Sequence, residues 1–231
     1  TVKTGMNTNG VYSFTNFQGN LDDVNLFLCN GSSGLHKYDG TTGIPYGDAP
    51  ASINFITTYQ NRLWGAADGN TLHACALDDA VNWQKFDGDQ SDSFFKTIES
   101  ERGEPITMLS GGLSKLVIGM KNSVRELYGG LPQDFADKVV SEDTGFLYNY
   151  SNVTHNGTLY GIHNTGIYTY SGGTLPNKFE YDIVSKFDYN LIGANGAISY
   201  NNDILFSLAG DVLLLDKKSE VDAWTLFKGI D

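Results

Sequence analysis

The sequence predicts an all-β fold, a five-bladed β-propeller, from three observations. Glycine accounts for 27 of 231 residues while only 18% of residues are charged, a balance that disfavours long helices. A strand, turn, strand unit recurs five times, opening at Leu26, Leu63, Leu116, Leu159 and Leu205 with the windows LFLCNGSSGLHKYDG, LWGAADGNTLHACAL, LVIGMKNSVRELYGG, LYGIHNTGIYTYSGG and LFSLAGDVLLLDKKS. The openings lie 37, 53, 43 and 46 residues apart, and units of about 40 to 50 residues holding four antiparallel strands are how propeller blades read in sequence. A β-sandwich is the alternative, because it too alternates short strands with turns.

Each unit resolves into strands in order. The turns NGSSG, DGN, KNS, HNT and AGD carry residues that tolerate positive φ, and their flanks are rich in Leu, Val, Ile, Tyr and Phe, which suit a pleated surface. A further strand precedes each hairpin: GVYSFTNFQGN, SINFITTYQN, EPITMLSGG, SNVTHNG and AISYNND. A fourth follows several of them, as NWQKF, DKVVSED, FEYDIV or AWTLF. In the second unit NRLW opens the inner hairpin, residues 66–70 cover its turn, and Trp83 begins the outer strand. In the third, VRELYGG fits two registers, and a slip of one residue exchanges the faces of Arg125 and Glu126. Residues 1–231 read as a single propeller domain, with a longer parent chain left open; TVKTGMNT is expected to close the ring beside AWTLF.

The formal charge of −12, with 15 Lys+Arg and no dense basic run, disfavours sequence-specific nucleic-acid binding. No stretch approaches the ~18 apolar residues of a membrane-spanning helix, so no membrane partner is expected, and the N-terminus lacks a signal pattern. Cys29 and Cys75 lie in apolar stretches and read as buried free thiols.

Few residues offer chemistry. His36 and His73 fall ten residues after their openings, which makes a shared ligand conceivable, but no Cys or carboxylate repeats there; with His155 and His163 they read as strand-borne histidines. Asp87, Asp89 and Asp92 in FDGDQSDSF partly match a calcium loop, yet the later glutamate and full spacing are missing, so a solvated acidic turn is expected. Asp39, Asp68, Asp78, Asp79 and Asp143 also sit in turns, and no carboxylate pair on inner strands suggests a five-bladed glycoside hydrolase. No nucleophile elbow, phosphate loop or dinucleotide fingerprint occurs. Asn30, Asn152 and Asn156 match glycosylation sequons that turn chemistry explains. Catalytic, cofactor and metal residues are therefore expected to be none, and the protein not an enzyme. Trp64, Tyr160 and Phe206, each one residue past an opening, would be the sugar-stacking positions of a lectin or adhesin, but Phe27 and Val117 at the same offset point to core.

The stretch 61–145 carries a resemblance. NRLW, DDAVNWQKFDG, DSFFKTIESERGEPITML, GGLSKLVIGMKNSVRELYGGLPQDF and VVSEDTG resemble propeller-containing virion proteins of tailed bacteriophages, in particular the tail hub or DNA-stabilisation (head-completion) proteins of short-tailed phages. Asn61, Arg62, Leu63, Trp83, Gly103, Ile106, Thr107, Leu116, Ser123, Val124, Gly129 and Phe135 occupy the matching places. GVYSF with GLHKYDGTTG looks like the opening blade of the same proteins, and the similarity fades after about residue 175. It implies a structural role in the virion, at the tail or head–tail junction: a homo-oligomeric ring that contacts portal, adaptor and tail needle or fibre and retains the packaged DNA, after synthesis in the host cytoplasm. The chain is shorter than typical hubs and lacks a recognisable ring-forming appendage.

Overall fold

The computed structural model describes residues 11–179, 196–208, 210–217 and 223–229. Its strands form five four-stranded antiparallel sheets, each from strands consecutive in the chain. Blade one holds β1 (Ser13–Phe17), β2 (Asn25–Cys29), β3 (His36–Tyr38) and β4 (Gly43–Pro45), and blade two β5 (Phe55–Tyr59), β6 (Arg62–Ala67), β7 (Thr71–Ala74) and β8 (Phe94–Thr97). Blade three holds β9 (Ile106–Ser110), β10 (Leu116–Met120), β11 (Val124–Tyr128) and β12 (Ala136–Ser141). Blade four holds β13 (Asn152–His155), β14 (Thr158–His163), β15 (Gly166–Tyr170) and β16 (Asn177–Lys178), and blade five β17 (Ala197–Tyr200), β18 (Asp203–Leu208), β19 (Asp211–Asp216) and β20 (Ala223–Phe227). The radial arrangement is the predicted five-bladed propeller, and the sandwich reading is set aside. Among the described residues no helix is long and apolar enough to cross a membrane.

Local chemistry explains the hairpins. The first turns of blades two, four and five are two-residue loops, Gln60-Asn61, Asn156-Gly157 and Asn201-Asn202, all at positive φ. This is the mirror-image turn whose twist matches the flanking strands, and Asn and Gly tolerate it best.

Four apolar clusters join neighbouring blades. Phe17, Phe27, Ile53, Leu63 and Trp83 belong to the joint of blades one and two, and Trp64, Leu72, Ile106, Ile118 and Phe135 to that of two and three. Met108, Val117, Phe146, Leu159 and Tyr170 join three to four; Tyr160, Ile162, Ile204, Phe206 and Leu213 join four to five. Phe146, on the link between blades three and four, lies in a slot that two glycines leave open: a Cβ on Gly161 would stand 2.4 Å from its ring, and one on Gly119 3.4 Å from its Cβ.

Two expectations need correction. The outer strand of blade two is β8, FFKT, and Trp83 instead lies in the long loop between β7 and β8, 2% exposed in the joint with blade one. An apolar ring beside a polar run resembles a strand start, but Arg62 folds this loop inward: its guanidinium donates to Cys75 O at 2.7 Å, Asp92 O at 2.5 Å and Gln90 O at 2.9 Å. The hairpin turn of that blade is also shorter than residues 66–70, since β6 continues through Ala67. The strands expected at FEYDIV and at TVKTGMNT lie largely or wholly outside the described residues.

Candidate functional site

The inner strands meet around the axis, and from blade one to blade five small hydroxyl residues brace each to its successor. Ser13 Oγ accepts the Ile56 N–H at 3.0 Å, joining β1 to β5, and Thr57 Oγ1 accepts the Gly111 N–H at 3.2 Å beside β9. The Ser110 and Thr154 hydroxyls bond at 3.3 Å, linking β9 to β13, and His155 Nδ1 lies 2.7 Å from Ser199 Oγ, linking β13 to β17. Serine and threonine suit this place because their short side chains let strands approach closely and still pair polar groups.

A 3₁₀ turn, Asn149–Ser151, borders the axial cavity ahead of β13. Asn149 Oδ1 accepts the Leu109 N–H at 3.0 Å, Asn149 Nδ2 donates to Ser13 Oγ at 3.4 Å, and the Tyr150 hydroxyl donates to Val11 O at 3.3 Å. The Tyr150 ring packs edge-on against Phe55, with 6.4 Å between centroids. Burial pushes its phenol up to about 12. One turn thus ties blades one, two, three and four together. The axial cavity, about 450 Å³, is lined from all five inner strands, including Ser13, Phe14, Thr57, Ser110, Thr154 and Ala197. Among the described residues, none that lines it is charged. A carboxylate pair, the requirement of a glycosidase centre, is absent from that lining.

Ionisable groups gather instead in the joints. Glu126, 1% exposed, accepts from Lys115 Nζ at 3.0 and 3.1 Å, the Tyr170 hydroxyl at 2.5 Å, the Gly173 N–H at 3.2 Å and the Tyr128 hydroxyl. Burial works to raise its carboxyl, but these donors outweigh it and hold it below the ordinary value. On the other face of blade three, Arg125 Nη1 contacts Asp137 at 2.7 Å and Nη2 Glu142 at 3.2 Å, while Lys96 reaches Asp137 from blade two at 2.6 Å. Asp137 is likewise held low, its burial outweighed by Lys96 and Arg125. The two registers open for VRELYGG are thereby resolved: Arg125 faces blade two and Glu126 blade four.

The histidines do not converge. His36 lies on β3 opposite Leu28, and His73 on β7 opposite Gly65. They are equivalent positions on successive blades and face the same rotational direction, so the sheet of blade one separates them. His163 Nδ1 bonds Thr165 Oγ1 at 2.9 Å, Nε2 is buried without a hydrogen-bond partner, and burial lowers its pKa, as it does for His73.

Asp87, Asp89 and Asp92 do cluster, but an ammonium stands among them. Lys85 Nζ lies 3.0 Å from Asp89 and 3.9 Å from both Asp87 and Asp92. The expected solvated turn needs one amendment: Asp92 is 5% exposed, because Oδ2 accepts the N–H groups of Gly88 and Asp89. At the sequons, Asn30 Oδ1 accepts the N–H groups of Ser32 and Ser33 while Nδ2 is buried, and Asn156 adopts φ 46 in its turn. Trp64, Tyr160 and Phe206 are buried in the joints, and Cys29 and Cys75 are buried free thiols.

The residues that carry the phage resemblance concentrate around blades two and three and have identifiable packing roles. Asn61 supplies a left-handed turn, Arg62 pins the long loop, Phe135 packs on Trp64 and Phe94 at 5.1 Å each, and Gly129 sits at φ 106 where a Cβ would meet Asp134 O at 2.5 Å. Sequence reasoning missed Glu126 and Asn149. A glutamate framed by Val124 and Leu127 was the available signal for the first; for Asn149, whose role comes from two distant partners, Leu109 and Ser13, there was none.

No protein-family model matches the sequence, and no curated protein does. Among solved structures the chain is similar to BBS1N in its complex with ARL6DN, with a TM-score of 0.60 and 13% identity over 95% of this chain and 67% of that one. It is also similar to the computationally designed Ika8 protein, with a TM-score of 0.56 and 10% identity over 92% of this chain and 60% of that one. This chain therefore spans about two thirds or less of each, and at such identities the likeness shows the propeller fold alone.

Proposed function

We propose that this propeller is a non-enzymatic structural protein of a tailed-bacteriophage virion, a tail hub or head–tail junction component that serves assembly and genome retention. The observation that carries the reading is the state of the axis. Where propeller enzymes gather reactive groups, the described lining of this cavity is uncharged, and the hydroxyls of Ser13, Thr57, Ser110 and Thr154 brace one blade to the next. Rigid centres of this kind suit a part that presents its end loops to neighbours without a moving catalytic element.

The resemblance of residues 61–145 to phage hubs supports the particular station. The partners are then portal, adaptor and needle or fibre proteins, within a homo-oligomeric ring. The charge of −12 suits a conduit along which DNA slides without sticking. Deleting the gene from the phage should yield particles that fill with DNA and then leak it; stable, infectious particles would overturn the reading. The purified protein should leave duplex DNA unretarded in a gel at moderate salt.

A further inference from the structure

The seam between blade five and blade one differs from the four joints. Strand alternation assigns each blade two faces. On β1, Ser13 and Phe17 turn toward blade two, so Phe14 turns the other way, and it is 68% exposed. Its cross-strand neighbour Leu28 shares that face and is half-buried. On β17, Ser199 turns toward blade four, so Ile198 and Tyr200 turn away from it, 59% and 66% exposed. Leu205 and Leu214 continue the Ile198 row across the sheet, both half-buried. Among the described residues no apolar cluster spans these two faces, whereas each of the other four pairs of neighbouring blades has one.

We propose that this seam is a docking surface for a further blade-type sheet, a four-stranded antiparallel sheet with an apolar face on each side, supplied by polypeptide other than residues 1–231. Continuity with the established joints points to that occupant. Phe14, Leu28, Ile198, Leu205 and Leu214 keep the row spacing and the aliphatic and aromatic residue types of the buried faces, so a sheet built like blade three extends the same packing on both sides. The solved propellers that superpose on 92% and 95% of this chain are longer than it, since it covers 60% and 67% of them. A second copy of this chain is a poor occupant, because its own exposed apolar rows are the same two, turned toward each other across its own seam. The inference does not depend on the phage reading.

Two measurements on residues 1–231 test it. The first compares the chain with a Phe14→Ser, Ile198→Ser, Tyr200→Ser variant by anilinonaphthalene-sulfonate (ANS) fluorescence, thermal melting and light scattering. An open seam gives dye binding that falls several-fold in the variant, a Tm within about 2 °C of the parent, and a monomer throughout. No dye binding, together with a variant Tm lower by more than about 5 °C, means that the chain closes on itself and overturns the proposal. A dimer that the variant dissolves assigns the seam to a second copy and also overturns it.

The second measurement appends a duplicate of residues 104–144, the blade-three unit, after Asp231 through a Gly/Ser linker. Tm should rise and dye binding fall, and both effects should vanish when Ile198→Asp and Tyr200→Asp are added. A fusion that changes neither quantity shows that the seam does not accept a blade.

Discussion

Blade three and blade five are each a sheet of four consecutive antiparallel strands, yet their second strands are buried differently. All five positions of β10 are buried, whereas β18 alternates between buried and more exposed positions. Leu116, Ile118 and Met120 enter the joint with blade two while Val117 enters the joint with blade four. In blade five, Ile204, Phe206 and Leu208 enter the joint with blade four, and Leu205 and Ser207 face the seam. The period of apolar residues in the second strand therefore reports how many faces of a blade are covered. β6 is buried throughout and β14 almost so, whereas β2 alternates like β18.

Removing one aromatic ring from each region puts this difference to the test. Phe146→Ala empties a fully buried slot between blades three and four and should cost about 3–5 kcal/mol by chemical denaturation. Phe14→Ala at the seam should change stability by less than about 0.5 kcal/mol. Equal losses would mean that the seam is as well packed as a joint.

The next effect is electrostatic. Glu126→Ala leaves the Tyr170 hydroxyl, the Lys115 ammonium and the Gly173 N–H facing an empty buried site, and should cost about 3 kcal/mol. Gly161→Ala should follow at about 1–3 kcal/mol through overpacking against Phe146, while Ser207→Ala, exposed on blade five, should be close to neutral.

These contrasts also mark what was legible in the sequence. All five hairpins and the strand before each were readable, because alternating apolar runs and Asn/Gly turns are local signals. The outer strand of blade two was not: FFKT is short and half-exposed, while Trp83 advertises burial from a loop that distant partners fold inward, Arg62 reaching 28 and 30 residues along the chain and Asp48 accepting the Trp83 N–H. The axial site was mostly hidden. Ser13, Thr57, Ser110 and Thr154 resemble ordinary strand residues until the blades bring them together. The seam is written in the alternation of NLFLC and DILFSL against the unbroken LVIGM, a difference that the residues of each strand carry by themselves.

Acid should separate the contributions by pH. The folded pKa values of His73 and His163 are depressed by burial, so the unfolded chain binds more protons just below its own histidine value near 6.5. Stability should therefore begin to fall as pH drops through that value. Glu126 and Asp137, also depressed, add stability that is present above the ordinary carboxylate range and is lost as pH falls through their folded values. Tm measured from about pH 7.5 to 3 should decline in two stages, and a His163→Gln variant should flatten the first. A Tm that rises between about pH 7 and 5.5 would contradict the assigned burial of both rings.

The smallest effect belongs to the acidic loop, whose contrast with the joints is one of exposure. Asp87, Asp89 and Asp92 could surround a calcium ion, but a cation is already there: Lys85 Nζ contacts all three carboxylates, and Ser91 and Lys85 hold the Asp89 carboxyl down to about 2. Binding calcium would require expelling that ammonium into water, and the three carboxylates, at one oxygen each, fall short of the roughly six to eight oxygen ligands that calcium takes. Millimolar calcium should leave Tm unchanged, and chelator should do the same. A rise of several degrees that reverses with chelator would mean that the ion displaces Lys85 and that Asp92 Oδ1, buried without a hydrogen bond, is a ligand.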